Sequence, residues 1–579
     1  MSKLQRLLNL PKLHIQILLL LTIFVLSFAY FSFDGFHFYD DTGYIEKAHF
    51  LRTNTWENIF KNPNEQAHRF SFLLPLAILQ NYLPFTEFTH IIWITICTLF
   101  GIYLVYACLA NDAENIALYA SLLIGLDYYY LYLSNKVYPD TQTAICCLFS
   151  AFILQKIVVN STQKKTMAMA LLFVLAMAAA LLAKLTAIFI LPFYLFVFLQ
   201  HFVGIFPYHL TNSSQNKAPK SNFFLQTFVF ACLGLCGYLL VYQYFTGDFL
   251  FRFRAVENNR YADALSYFDK SWKIMAIRLT YEPILMFLKA GYFVNFCLAI
   301  PIIVQILRKN RAMYAQKTVV YWTHLLLFLL VFYWFGTTSL QVYSPLPLDY
   351  RMFVLLSPFL AMVAAFGFRE SLRNSAYQIF YFVAFALAAY STKVYLYSPN
   401  YLIYSLLALV FGLMWLSNLQ IVLQIRQDSF QVFKIWKLLF FLVLTIHPIY
   451  TIWHSDSKNY FAEKYILQEF LPKYLASNPQ KIPNQKILIY TDSRLAESFL
   501  FYYNFVQIPT MSFLSFENLQ TIAPVPTTRQ YVLYNHQTVN YLQAYTGKKT
   551  TVLLENLGKN AKILWVGEKV VLYELYYCL

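Results

Sequence analysis

Apolar runs of about 20 residues recur along this chain, and each is long enough to cross a hydrocarbon layer about 30 Å thick. Charged residues make up only 12% of the 579 residues, about half of the roughly 25% that is typical of soluble globular proteins. The length rule therefore predicts a polytopic α-helical membrane protein with about thirteen transmembrane helices. The predicted helices cover residues 13–32, 88–110, 115–133, 140–158, 166–182, 185–203, 222–245, 283–307, 318–336, 352–368, 376–392, 400–418 and 436–453.

The formal net charge of +16 is explained without nucleic acid. Cytoplasmic loops of membrane proteins are enriched in Lys and Arg, and basic residues also face anionic lipids. With the N-terminus in the cytoplasm, most of the basic loops become cytoplasmic, and an odd number of helices places the C-terminal segment on the outer face. The first run is followed by no small-x-small cleavage site, so we expect it to be retained as a helix. We predict a multi-pass protein of the cell (inner) membrane, with membrane lipids and no nucleic acid among its partners.

The composition changes near residue 455, where charged residues, Asn, Gln and Pro return. Short segments rich in β-branched and aromatic residues follow, and the last two are separated by a Gly-Glu turn as in a hairpin. The sequence therefore predicts a transmembrane domain over residues 1–454, with a long outer loop at about 33–87, and a small extracytoplasmic α/β domain over residues 455–579. The predicted elements of that domain are strands at 486–491, 530–534 and 551–555, a helix at 494–504, and a hairpin around residue 567.

The first outer loop contains two adjacent acids, Asp40 and Asp41, framed by Tyr39 and Tyr44. A carboxylate within hydrogen-bond reach of a hydroxyl can act as the base while that hydroxyl attacks, and two converging acids suppress each other's ionisation. A solvated acidic loop is the simpler interpretation of such a pair. The spacing alone leaves both interpretations open.

Three basic residues are predicted on the same outer face: Arg69, Lys184 and Arg351. A charge at membrane depth costs about 2.5–3.5 kcal/mol, so it usually has a partner or a ligand. Snorkelling to the interface explains any one of the three. Three beside an acid pair indicate a site for an anionic lipid headgroup, because the planar donors of Arg suit a phosphate. Asp140 starts a predicted helix on this side, where either the helix dipole or a role in the site explains it.

Three histidines of the first outer loop, His37, His49 and His68, lack the H-x-H or H-x-x-x-H spacing of metal ligands. We therefore expect no metal site built on histidine. A divalent cation held by the acids remains open. The eight cysteines include no C-x-x-C pair, so neither a zinc site nor a disulfide framework is indicated.

Together these features resemble the GT-C class of membrane glycosyltransferases, in the branch that contains protein O-mannosyltransferases and the lipid A aminoarabinose transferase. The D-E/D-x-x-Y motif of that branch is similar to DDTGY at residues 40–44, soon after the first helix. Its small-residue helix that ends in Lys is matched by AMAAALLAK, which ends at Lys184. Its late R-Y-x-x-P stretch is matched by RMFVLLSP, which starts at Arg351 and has Met352 in place of the aromatic residue.

The resemblance implies an enzyme that moves a sugar from a polyprenyl-phosphate-linked donor to a hydroxyl of a glycan, lipid or protein, on the outer face and with inversion. Asp40 would be the catalytic base, and Asp41 and Asp140 would position the acceptor or a divalent cation. The donor phosphate would bind Arg69, Lys184 and Arg351, and the acceptor or sugar pocket would include Tyr39, Tyr44, Tyr138 and Tyr343. No other cofactor is implied.

Two functions from other classes remain as alternatives. A polytopic lipid or sugar transporter, such as a flippase, usually has its site at the membrane midplane on broken helices within repeated halves. The candidate charges here lie at the outer ends of predicted helices, and the sequence shows no internal repeat. A membrane-anchored scaffold that presents the C-terminal domain would not explain the acidic loop or its basic partners.

Overall fold

The computed structural model describes most of the membrane-spanning part of the chain and the strands of the C-terminal part. The described residues are 11–36, 39–110, 115–159, 166–203, 217–261, 267, 270–310, 316–339, 341–372, 374–422, 429–455, 457–477, 486–491, 501, 503, 511–515, 528–535, 561–567 and 570–575.

The predicted polytopic helical architecture is confirmed. Within the described residues, ten helical stretches are long and apolar enough to cross a membrane, and an eleventh is obtained if two helices joined by a 58° bend, Ile116–Gly125 and Tyr128–Asn135, count as one span. The ten stretches are Lys12–Phe31, Glu87–Leu109, Asp140–Val159, Thr166–Ala183, Ser221–Thr246, Lys317–Phe335, Tyr350–Ser371, Ser375–Leu396, Asn400–Leu419 and Lys434–Ser477.

The difference from thirteen has a structural reason. The two other predicted runs form shorter apolar helices, Leu185–His201 and Phe293–Leu307. The run predicted at 283–307 is interrupted by Gly291, which has a left-handed backbone with φ +85°. A residue in that conformation ends a helix, so the run is divided into Glu282–Ala290 and Phe293–Leu307.

The segment predicted as the first outer loop is largely helical. Its elements are Tyr39–Thr53, Trp56–Phe60, a 3₁₀ turn at Glu65–His68, and Phe70–Tyr82, which is too short to cross a membrane. The side chain of Thr55 accepts from the backbone N–H of Asn58 and caps the second of these helices. The Tyr44 and Phe72 rings meet edge to face at 5.2 Å, which packs the first helix against the last.

Several shorter elements complete the described helices. They are Tyr128–Tyr132, Leu133–Asn135 (3₁₀), Leu185–Ile190 (3₁₀), Leu191–Val203, Phe251–Tyr261, Trp272–Leu279, Tyr350–Leu356 (3₁₀), Ser357–Ser371, Ser457–Tyr465 and Leu471–Ser477.

The C-terminal part forms a five-stranded sheet, whose strands are β1 (Lys486–Thr491), β2 (Met511–Ser515), β3 (Thr528–Asn535), β4 (Ala561–Val566) and β5 (Val570–Leu575). Their order in the sheet is β2-β1-β3-β5-β4. β1 pairs in parallel with β2 and β3, and β5 is antiparallel to β3 and β4. The strands predicted near 486–491 and 530–534 and the final hairpin are confirmed, and β2 was not predicted. The predicted strand at 551–555 and most of the predicted helix at 494–504 lie outside the described residues.

A buried acid joins the C-terminal part to the membrane-spanning part. The carboxylate of Glu87, at the start of its helix, accepts from the Tyr460 hydroxyl at 3.0 Å and from the Lys464 ammonium at 2.6 Å. The Phe501 ring also lies edge to face against Phe36, with centroids 5.4 Å apart. These contacts hold the segment after residue 455 against the first turn of helix Glu87–Leu109 and, through Phe501, against Phe36. The domain boundary at residue 455 stays a prediction.

We expect Gly367→Ala to destabilise the protein, because helices Phe293–Leu307 and Ser357–Ser371 approach closely there. A Cβ at Gly367 would lie 1.9 Å from the carbonyl oxygen of Leu298, and such overpacking costs about 1–3 kcal/mol. The thermal unfolding midpoint of the purified protein in detergent measures this.

Gly234→Ala is the matched control. A Cβ at Gly234 has nothing within 4 Å, and Ala in a helix interior is favoured over Gly by about 0.5–1 kcal/mol. Gly234→Ala should therefore leave the midpoint unchanged or raise it. An unchanged midpoint for Gly367→Ala would contradict the close packing.

Candidate active site

Asp40 lies in the first turn of helix Tyr39–Thr53, where the helix dipole favours a negative charge. Its carboxylate accepts from the guanidinium of Arg351 and from Gln66 Nε2, the latter at 3.1 Å. Burial by itself raises the pKa of Asp40, but the adjacent Arg351, with Arg69 at longer range, holds the pKa below its ordinary value. Asp40 is therefore a carboxylate at neutral pH.

Arg351 is shared between two acids. Besides Asp40, its Nε donates to Asp349 Oδ2 at 2.8 Å. Asp349 also caps the 3₁₀ helix Tyr350–Leu356, because its Oδ1 accepts from the backbone N–H of Arg351 at 3.2 Å. The guanidinium lies 4.8 Å from the centre of the Tyr138 ring, in cation–π geometry. These contacts hold the guanidinium plane in one orientation.

Lys184 and Asp140 form a second buried ion pair. Lys184 lies between helix Thr166–Ala183 and the following 3₁₀ turn, and Asp140 starts helix Asp140–Val159. The ammonium donates to Asp140 Oδ1 at 2.5 Å and also contacts the sulfur of Met352 at 2.8 Å. Met352, the departure from the family motif, thus touches the site.

Arg69 is the third basic residue. Its guanidinium donates to the Tyr44 hydroxyl and to Glu65 Oε1, the latter at 2.6 Å, and lies 5.3 Å from the centre of the Tyr44 ring. Lys184 interacts electrostatically with both Arg69 and Arg351, and Arg69 interacts with Asp40. Three cations predicted from separate segments therefore lie in one region of the structure, beside Asp40.

Asp41, the next residue, is fully buried and contacts other groups than Asp40 does. Its Oδ1 accepts from the backbone N–H of Val137 at 2.7 Å, and the Tyr138 hydroxyl lies 3.4 Å from Oδ2. Burial raises the pKa of Asp41 to about 7, although the Lys136 charge favours the ionised form. The Asp41 carboxyl group therefore attaches helix Tyr39–Thr53 to the segment before Asp140.

A neighbouring ion pair supports this attachment. The Lys136 ammonium, which is fully buried, binds the Asp34 carboxylate and donates to the carbonyl of Gly35 at 3.1 Å. Lys136 and Asp34 precede Asp140 and Asp40 by four and six residues. The two short segments that hold the acids are thus joined to each other directly.

The structure distinguishes the predicted pocket tyrosines. Tyr44 and Tyr138 contact Arg69 and Arg351, as described above, whereas the side chain of Tyr39 lies outside the described residues. The Tyr343 hydroxyl donates to the carbonyl of Phe335 at 2.9 Å, and its side chain is exposed. The described contacts of Tyr343 thus give no support to its predicted place in the pocket.

Several residues at this site were not predicted: Glu65, Gln66, Lys136 and Asp349. The sequence contains a local signal for two of them, because Glu65 precedes Arg69 by one helical turn and Asp349 precedes Arg351 by two residues. It contains no such signal for Gln66 and Lys136, since their partners are distant in sequence.

No group of three or more His, Cys, Asp or Glu side chains suited to a metal ion occurs within the part of the chain that the structure describes. His68, one of the three histidines considered, is instead held by the carbonyl of Asn62 at 2.7 Å and the Tyr242 hydroxyl at 3.0 Å. His37 lies outside the described residues. A divalent cation at the acids stays a prediction.

The raised pKa of Asp41 predicts a pH-dependent contribution to stability. Between about pH 4, where an ordinary Asp titrates, and about pH 7, the folded form binds this proton and the unfolded form releases it. The free energy of unfolding therefore falls as the pH rises through this window. Asp41→Asn removes this contribution. The unfolding midpoint of the variant, measured relative to that of the wild type, should therefore rise from pH 4 to pH 7. If the two midpoints change with pH in parallel, the prediction is wrong.

No protein-family model matches the sequence, and no curated protein matches it. Solved structures do resemble it. The crystal structure of ArnT from Cupriavidus metallidurans bound to undecaprenyl phosphate is 14% identical, with a TM-score of 0.51, and the similarity covers 97% of this chain and 98% of that chain. The apo state of the same protein is 13% identical with a TM-score of 0.47, over 96% and 97% of the two chains.

The similarity to the undecaprenyl-phosphate complex extends over nearly the full length of both proteins. At 14% identity it establishes the fold and leaves the chemistry to the residues themselves. ArnT is a lipid A aminoarabinose transferase of the GT-C fold. The chain described here therefore has the GT-C fold of membrane glycosyltransferases, the fold that its short motifs predicted.

Proposed function

We propose that this chain is a membrane glycosyltransferase that moves a sugar from a polyprenyl-phosphate-linked donor to the hydroxyl of a glycan, lipid or protein. One observation carries the proposal: the ionised Asp40 is paired with Arg351 beside two further cations, the buried Lys184 and the partly buried Arg69. The fold supports it, because ArnT from Cupriavidus metallidurans was crystallised with undecaprenyl phosphate.

The donor phosphate enters among the three cations in this mechanism. Each of them is held by a carboxylate: Arg69 by Glu65, Lys184 by Asp140, and Arg351 by Asp40. The phosphate therefore exchanges with carboxylates that already keep the cations desolvated and oriented. After the sugar leaves, the cations stabilise the lipid phosphate, on which negative charge develops.

Asp40 becomes a better base as the donor binds. When Arg351 turns to the phosphate, Asp40 loses the neighbour that lowers its pKa, and its burial then favours the protonated form. Asp40 takes the proton of the acceptor hydroxyl as that oxygen bonds to the anomeric carbon. The bond between this carbon and the phosphate oxygen breaks, and polyprenyl phosphate leaves. A single displacement inverts the anomeric carbon.

The other two acids have contacts that favour positioning roles. Asp41 is fully buried against Val137 and Tyr138, so it sets the position of the helix that carries Asp40. Asp140 orients the Lys184 ammonium. Tyr44 and Tyr138, which contact Arg69 and Arg351, and Tyr39 are the candidates for contacts with sugar or acceptor.

The proposed reaction takes place on the outer side of the cell (inner) membrane, with the N-terminus in the cytoplasm and residues 455–579 folded outside. The distribution of Lys and Arg among the loops supports this orientation. The contact of Glu87 with Tyr460 and Lys464 supports it too, since it places the segment after residue 455 beside the loop that holds Asp40.

Incubation of the purified protein with a panel of polyprenyl-phosphate sugars and an acceptor mixture tests the proposal. A glycosyltransferase releases free polyprenyl phosphate, whereas a transporter moves the lipid and leaves its sugar–phosphate bond intact. Turnover of at least one donor is expected. Donor movement across vesicles without release of lipid phosphate would favour the transporter.

Asp40 and Arg351 are predicted to have separable effects, although they are paired. Asp40→Asn removes the base, and a general base contributes about 10²- to 10⁴-fold to rate, so transfer should fall by that factor. Binding of polyprenyl phosphate should be kept or tightened, because Arg351 is released from its acid.

Arg351→Gln should weaken that binding by at least about tenfold, since it removes a largely buried charged donor. Radiolabelled transfer and equilibrium lipid-phosphate binding measure the two effects.

Glu57→Gln serves as the control for both variants. Glu57 is exposed in the same outer loop and pairs only with Lys61 among its described ion pairs, so transfer and binding should both match the wild type. Size-exclusion profiles and unfolding midpoints show whether each variant is folded. Wild-type rates for a folded Asp40→Asn would exclude Asp40 as the base.

A further inference from the structure

A small cavity lies among the apolar helices where two of them are interrupted and a third begins. Asp127 occupies the 58° bend between helices Ile116–Gly125 and Tyr128–Asn135. Gly291 occupies the break described above, and Asn400 starts helix Asn400–Val422. All three residues line the cavity, whose volume is ≈ 30 Å³, about the share of one molecule in liquid water.

Asp127 and Asn295 supply oxygen atoms on one side of the cavity. Asp127 Oδ1 accepts from the backbone N–H of Tyr130 at 3.0 Å, and Oδ2 accepts from Asn295 Nδ2 at 3.2 Å. The amide nitrogen of Asn295 donates to this carboxylate, so the Oδ1 atom of Asn295 takes no part in the contact. That oxygen is buried and has no hydrogen-bond donor among the described residues.

Asn400 is a second wall residue whose amide nitrogen is used elsewhere. Its Nδ2 donates to the carbonyls of Leu288 and Lys289, at 3.2 and 2.7 Å, and the Tyr404 hydroxyl also donates to Leu288 at 2.8 Å. The Asn400 amide and the Tyr404 hydroxyl therefore both donate to carbonyls at the end of helix Glu282–Ala290. The Asn400 oxygen is buried, and no donor reaches it within the described part of the chain.

The polar groups of the cavity wall are deeply buried, and within the described structure the charge of Asp127 is met by hydrogen bonds alone. Asn295 and Asn400 are 3% and 2% exposed and Asp127 is 8% exposed, and the electrostatic partners of Asp127 in the described structure include no Lys or Arg. His447, also on the wall, stacks on Tyr128 with ring centroids 3.6 Å apart. A buried carboxylate and two amide oxygens without donors are the ligands that a hard cation prefers.

We propose that this cavity binds one sodium-sized monovalent cation through the Asp127 carboxylate and the amide oxygens of Asn295 and Asn400. One carboxylate balances one positive charge, and Ca²⁺ sites usually have six to eight oxygen ligands. Helix interruptions inside a membrane are tolerated where they line a cavity, and ion sites of membrane proteins are often built on them. The site is separate from Asp40 and does not depend on the proposed transfer reaction.

The cation site adjoins the segment that carries Arg351. Tyr292, one residue after Gly291, donates its hydroxyl to the carbonyl of Tyr350 at 2.8 Å. Tyr129, two residues after Asp127, packs edge to face on the Tyr350 ring at 5.6 Å. A cation that holds the two helix breaks together therefore also fixes the position of the residue before Arg351.

Equilibrium binding of ²²Na⁺ to the full-length protein in detergent tests the site, with choline chloride keeping the ionic strength constant. We expect one saturable Na⁺ per chain, displaced more weakly by K⁺ or Ca²⁺ than by unlabelled Na⁺. Asp127→Asn keeps a side chain that can cap the following helix but removes the charge. It should weaken Na⁺ binding by at least about tenfold, a typical loss when a metal site is perturbed.

Asp248→Asn is the control, because Asp248 Oδ1 likewise accepts a backbone N–H, from Leu250 at 3.0 Å, without lining the cavity. It should bind Na⁺ as the wild type does. A wild-type protein that binds no ²²Na⁺ would overturn the proposal whatever the variants do. Stronger displacement by K⁺ or Ca²⁺ than by Na⁺ would overturn the assignment to a sodium-sized ion, and unchanged binding by a folded Asp127→Asn would overturn the ligand set.

Discussion

A charge inside a protein or a membrane is stable only when an opposite charge or hydrogen bonds replace its water. The candidate site depends on this constraint. Asp40 and Arg351 are 311 residues apart in sequence, and Lys184 is 44 residues from Asp140, so each pairing joins segments that are distant along the chain. In the proposed reaction, the cations are already largely removed from water, and the donor phosphate takes the place of a carboxylate.

Attachment of the first outer loop follows from the same physics. Asp41 and the Lys136–Asp34 pair bury charge and hydrogen-bonding groups between two short segments, and each of those segments continues into an acid of the site. Asp40 is therefore held by its own helix and by the residue beside it. The helix interruptions near Asp127 and Gly291 show the reverse case, because the amide oxygens of Asn295 and Asn400 are buried and have no donor among the described residues. The cation that we propose there would supply the missing partner.

The sequence predicted the helical membrane architecture because the length and apolarity of a run are local properties. It could not predict that the run at 283–307 breaks at Gly291 or that the run at 115–133 bends at Asp127, since both depend on what packs around the break. Asp40, Lys184 and Arg351 were predicted from short motifs, and Arg69 was predicted as a basic residue on the same face. Gln66 and Lys136 were not, because their partners lie far along the chain, and the contacts of Tyr343 with Phe335 did not follow from its position in an outer loop.

The sequence by itself determined that the chain is a polytopic membrane protein and which acidic and basic side chains stand at the ends of its helices. Hydropathy over about 20 residues is sufficient for the first, and the cost of a charge near membrane depth singles out the second. Only the tertiary structure decided that Asp40 faces Arg351 while Asp41 faces Val137. Adjacent residues on a helix point in different directions, and the surroundings of each are supplied by segments that the local sequence does not specify.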